Sequence, residues 1–99
     1  MSGVVRIFSK AAAERRRLYL DYSCWLEEDE ELSDFQVSVS PYTEEAPVIM
    51  TVGYPDAAHK KLMVYAAGGL KNTSYLLRML VRTDAGQIKQ DDFGLRVTP

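Results

Sequence analysis

The chain has 99 residues, of which 46% are apolar, 10% aromatic and 26% charged, enough apolar material for one compact domain and too much for a disordered segment. Twelve basic and 14 acidic residues leave a formal charge of −2, which removes the sequence-independent attraction that a nucleic-acid or anionic-membrane binder relies on. The single cysteine, Cys24, allows no internal disulfide and no cysteine-based zinc cluster, and apolar runs such as Leu62-Met63-Val64-Tyr65-Ala66-Ala67 fall far short of the roughly 20 residues that cross a bilayer.

Residues 1–14 show no sustained period and read as an N-terminal arm, extended or with a short helical turn. No apolar stretch there has signal-peptide length, so folding in the cytoplasm where the chain is made is expected. From Arg15 a two-residue period sets Leu18, Leu20 and Tyr22 against Arg17, Tyr19 and Asp21, the pattern of a half-buried strand. A corner follows at Ser23-Cys24-Trp25-Leu26, with Trp25 as the expected core plug and Cys24 as a small buried hydrophobe. The acidic run Glu27-Glu28-Asp29-Glu30-Glu31 reads as a solvated loop.

Leu32 to Ser40 is the next strand, with Phe35, Val37 and Val39 alternating with Gln36, Ser38 and Ser40 until Pro41. After a polar turn, Val48, Met50, Val52 and Tyr54 oppose Ile49, Thr51 and Gly53 up to Pro55. Lys60 to Ala66 then points Leu62, Val64 and Ala66 inward and Met63 and Tyr65 outward, and Gly68-Gly69 closes it. In the final hairpin Tyr75, Leu77, Met79 and Val81 alternate with Leu76, Arg78, Leu80 and Arg82, and Thr83-Asp84-Ala85-Gly86 turns the chain back. In the return strand Ile88 is apolar on even parity but Phe93, Leu95 and Val97 on odd, which predicts a bulge near Asp91-Asp92 or Gly94 and a kinked strand. Six to seven strands without helical periodicity after residue 14 predict an all-β antiparallel sandwich over residues 15–99.

Chemistry-bearing patterns are sparse. His59 is the sole histidine and has no nucleophile or orienting partner in any motif, so it reads as a loop residue. The acidic run lacks the glycine of a calcium loop, and Asp91-Asp92 fits a guarded edge better than an acid–base dyad. Arg15-Arg16-Arg17 is split between two faces by alternation and lacks interleaved aromatic platforms, which favours an acidic protein partner over nucleic acid. Gly68-Gly69 lacks the later Gly, Lys and Ser/Thr of a phosphate loop and reads as a site of positive φ. No catalytic residue, metal, cofactor or small-molecule substrate is expected. What stands out is apolar surplus on outward parity: Tyr19, Ile49, Met63, Tyr65, Leu76 and Leu80. With Arg78 and Arg82 as a rim, such residues form an interface for other chains if they share a sheet.

The segment Leu70 to Gly86 resembles the fibronectin type III and immunoglobulin-like hairpin, in which Tyr75 would be the tyrosine-corner residue, its buried hydroxyl bonded to backbone near Leu70 or Asn72. Four segments extend the likeness: Tyr19-Leu20-Asp21-Tyr22-Ser23-Cys24-Trp25-Leu26, Ala67-Gly68-Gly69-Leu70-Lys71-Asn72-Thr73-Ser74-Tyr75, Leu80-Val81-Arg82-Thr83-Asp84-Ala85-Gly86-Gln87 and Phe93-Gly94-Leu95-Arg96-Val97. Together they are similar to small proteins encoded in tailed-bacteriophage structural gene clusters. That resemblance implies an immunoglobulin-like module acting as a non-enzymatic virion protein, a fibre-to-tail adaptor. Lys71-Asn72, where small residues are common, and Cys24 depart from the pattern. The resulting expectation is a chain made in the host cytoplasm and incorporated into the virion. There it would assemble in multiple copies and bridge other virion proteins, such as tail, portal-adaptor or fibre proteins, through Met63, Tyr65, Leu76, Arg78, Leu80 and Arg82. Two alternatives are a head decoration protein and a carbohydrate- or receptor-binding module, the latter requiring Trp25, Tyr42, Tyr54 or Tyr65 on one rim.

Overall fold

A computed structural model describes residues 6–99. Seven strands follow one another, β1 (Arg6–Ala11), β2 (Arg16–Asp21), β3 (Leu32–Ser40), β4 (Val48–Gly53), β5 (Lys61–Gly68), β6 (Thr73–Thr83) and β7 (Ile88–Thr98), and no helix occurs among the described residues. They form a four-stranded sheet ordered β1-β7-β6-β3 and a three-stranded sheet ordered β2-β5-β4. All neighbours are antiparallel except β1, which runs parallel to β7. The two sheets stack as a β-sandwich, because alternation gives each one apolar face to bury against the other. Leu18, Leu20, Leu62, Val64 and Ala66 from one layer meet Tyr75, Leu77, Met79, Val81, Phe93, Leu95 and Val97 from the other.

Part of the segment read as an arm is the edge strand β1, while residues 1–5 lie outside the described residues. β1 turns Arg6, Phe8 and Lys10 toward the interior, since these align with Phe93, Leu95 and Val97 of β7. Lys10 is buried, and its ammonium donates to the Ala11 and Ala12 carbonyls at 2.7 and 3.2 Å. Desolvation holds its pKa below the ordinary lysine value.

The bulge expected in the last strand is absent. Pairing of β6 with β7 runs unbroken from Thr73↔Val97 to Arg82↔Ile88, and Ile88 is simply an outward residue, 56% exposed. Parity changes because the inward positions Lys89 and Asp91 lie at the rim of the core, where polar groups reach solvent. Lys89 Nζ sits 5.8 Å from the Trp25 ring centroid, and Asp91 lies near Tyr22, whose phenol pKa is raised by burial first and by Asp91 second. The register shift is in β3 instead, between Leu32 and Asp34.

At one end of the sandwich a single proton chain fixes two loops. The Leu70 N–H donates to the Tyr75 hydroxyl at 2.8 Å, and the Thr43 hydroxyl donates to the Ala46 carbonyl at 2.8 Å. The 2.8 Å contact between the two hydroxyls is therefore donated by Tyr75, because the Thr43 proton is already committed. Gly69, at φ 99°, passes under this corner with no room for a side chain: a Cβ there would stand 2.7 Å from Val97 Cγ2.

At the opposite end Glu30, one of the five residues read as a solvated loop, is buried. Its carboxylate accepts from the Glu27 N–H at 3.0 Å, from the Thr83 hydroxyl and from Gln87 Nε2 at 2.9 and 3.0 Å. These donors, the backbone N–H of Glu27 foremost, hold its pKa below the ordinary glutamate value. The acidic loop is thus tied to the β6–β7 turn through its one inward carboxylate.

Candidate functional site

Seven strands in two layers leave two outer faces, and the apolar surplus is divided between them. On β2-β5-β4 the outward rows are Tyr19, Met63 and Gly53, then Arg17, Tyr65 and Thr51, then Ala67 and Ile49. Tyr19 and Ile49 are strongly exposed, and Met63 and Tyr65 half-buried beneath neighbouring side chains. Arg15 stacks its guanidinium 4.0 Å from the Tyr65 centroid, and Lys61 Nζ lies 5.9 Å from that of Tyr19. The result is an aromatic and aliphatic face edged by cations, a composition suited to protein contact.

The opposite face, on β1-β7-β6-β3, carries Leu76, Arg78, Leu80 and Arg82. One row aligns Ile7, Gly94, Leu76 and Ser40, and another Gln90, Leu80 and Gln36. Ile7 leans over Gly94, where a Cβ would meet Ile7 Cγ1 at 3.3 Å, so the glycine lets the isoleucine approach Leu76. Arg78 is already paired: Nε and Nη2 donate to Asp92 Oδ1 and Oδ2 at 2.9 and 3.2 Å. This pair holds the Asp92 carboxyl below its usual range and raises Arg78. A shallow groove of about 410 Å³ runs across Gln36, Ser38, Arg78, Leu80 and Gln90.

Met63 and Tyr65 therefore do not share a patch with Leu76 and Leu80. They lie on opposite sides of the molecule, since β5 and β6 belong to different sheets. Outward parity says that a residue leaves the core but not through which layer. Ile7, 74% exposed, belongs to the second face and was hidden by the irregular pattern of its segment.

The remaining candidates do not converge. Trp25, expected as the core plug, is half-buried at the rim, where the turn bonds Trp25 N–H and Leu26 N–H to the Tyr22 carbonyl and sends Leu26 inward instead. Cys24, expected in the core, is exposed in the same turn. His59 stacks on Tyr54 with centroids 4.0 Å apart, and its Nδ1 is 3.7 Å from Glu31 Oε1. Tyr42 projects from the β3–β4 loop at the other end and Tyr65 from a sheet face, so these aromatics form no common rim. No group of His, Cys, Asp and Glu with metal-holding geometry occurs among the described residues. The gap inside the core, bordered by Leu18, Met50, Leu77 and Phe93, is about 10 Å³, no larger than a single water requires.

A family model described as podophage GP4 fiber-tail adaptor protein gp77 matches residues 10–96. No curated protein matches the chain.

Proposed function

Since the chain belongs to the podophage GP4 fiber-tail adaptor protein gp77 family, and is thereby a structural adaptor and a virion component, we propose that it bridges by giving each sheet's outer face to a different neighbour. The observation that carries this reading is the separation just described: Met63, Tyr65, Tyr19 and Ile49 on one side, Leu76, Leu80 and Ile7 on the other. A connector needs two independent surfaces, and a sandwich places them back to back on a rigid body. Catalysis plays no part in this reading. The strand orders β1-β7-β6-β3 and β2-β5-β4, with Tyr75 bonded to Leu70, support an immunoglobulin-like assignment of the module. Several copies on a symmetric tail would convert modest single contacts into firm attachment through effective concentration.

The test substitutes one face at a time. Leu76→Ser with Leu80→Ser should release one partner from tagged chain recovered with tail components, and Tyr19→Ser with Met63→Ser a different one. Loss of the same partner by both pairs, or of none by either, contradicts the bridge.

A further inference from the structure

One side of the sandwich is left open. β1 and β2 close the other side, where the inward residues Leu18 and Leu20 of the edge strand β2 are buried. On the open side β3 and β4 are both edge strands, and their inward residues Val37, Val39, Val48, Met50 and Val52 are all only half-buried. An apolar seam thus runs between the two layers. It is stopped at one end by the edge-on pair Phe35–Tyr54, with centroids 5.8 Å apart, and at the other by the β3–β4 loop.

The edges differ in protection. β1 turns Arg6 and Lys10 inward, β2 carries Arg16, Arg17 and Asp21, and β3 has Asp34 and a broken register. Charges and irregularities of this kind are how exposed edges avoid pairing. β4, Val48-Ile49-Met50-Thr51-Val52-Gly53, has no charge and no proline, and its pairing with β5 is regular throughout. Its outer N–H and C=O groups are a template for another strand. Acidic side chains stand at both ends of the seam by chain order, Glu44 and Glu45 in the β3–β4 loop and Asp34 and Asp56 at the far end, where Lys60 of the β4–β5 loop is engaged by the Glu27 and Glu28 carbonyls.

We propose that β4 accepts an extended segment of another virion polypeptide, with an apolar residue at every second position to fill the seam and basic residues flanking it. The proposal rests on the adaptor reading only for the existence of such a partner. The added strand would pair with β4 and place alternate side chains over Val48, Met50 and Val52, completing the burial that β2 achieves on the other side.

Hydrogen exchange on the whole chain, isolated and within purified tails, tests this. Those amides of Val48–Gly53 that do not bond β5 should exchange about 100-fold more slowly in the tail. Glu44→Lys with Glu45→Lys, both exposed and remote from the core, should weaken attachment at least tenfold while leaving the melting temperature unchanged. Unchanged exchange over β4 in tails that contain the chain overturns the proposal without touching the adaptor reading, which the substitutions of the two sheet faces test separately. Protection that already develops in the concentrated isolated chain assigns the seam to a second copy and equally overturns it.

Discussion

Replacing Tyr75 by Phe keeps the buried ring and removes one oxygen. In the native chain that oxygen accepts from the Leu70 N–H and donates to Thr43. Its loss leaves the Leu70 N–H beneath the corner without an acceptor, while Thr43 keeps its bond to the Ala46 carbonyl. Orphaning a fully buried donor costs about 1–3 kcal/mol, and because this bond is part-buried and Leu70 itself exposed, the loss belongs at the low end of that range. At about 1 kcal/mol, a domain of this size should lose about 4–8 °C in melting temperature. Thr43→Val cuts the same chain one link further on, so the double variant should cost less than the sum of the singles. Thermal unfolding followed by circular dichroism reads all three. A Tyr75→Phe protein melting within 2 °C of the parent, or strictly additive losses, would refute the proton chain as a stabilising unit.

Gly69→Ala should be far more costly than Gly86→Ala. Both sit at positive φ, but only at Gly69 does a Cβ collide, with Val97 and Val48, whereas Gly86 faces open space. About 1–3 kcal/mol of overpacking separates the two in denaturant titrations. Acid sensitivity should carry a Glu30 component. Its folded pKa lies below the ordinary 4.5, so the native state binds fewer protons than the unfolded one, and the stabilisation is complete above about pH 4.5 and lost as pH falls through the folded value. Glu30→Gln should therefore be less stable than the parent at pH 7 and show a flatter stability profile below pH 4.5; an unchanged acid limb would show that the carboxylate contributes nothing.

Strands β2 to β6 and the second half of β7 were legible because their inward positions are apolar, as in Leu62, Val64 and Ala66 or Tyr75, Leu77, Met79 and Val81. β1 was not, because two of its three inward side chains are Arg6 and Lys10, and a period of two in hydrophobicity disappears when long cations fold their stems into a core rim. Polar residues at the inward rim positions Lys89 and Asp91 imitated a bulge. Glu30 could not be told from its four acidic neighbours, since its burial depends on Thr83 and Gln87, more than fifty residues away. The candidate surface was legible as a set of residues but not as a geometry. Alternation identifies Met63, Tyr65, Leu76 and Leu80 as outward, whereas their division into two opposed faces follows from β5 pairing with β2 and β4 while β6 pairs with β3 and β7. That division turned one expected patch into two.

A density map of the assembled tail, resolved well enough to trace this chain, tests the bridge most directly. It should show the Tyr19–Met63–Tyr65 face against one polypeptide and the Ile7–Leu76–Leu80 face against a different one. A map in which either face looks onto solvent, or both contact the same neighbour, would contradict it.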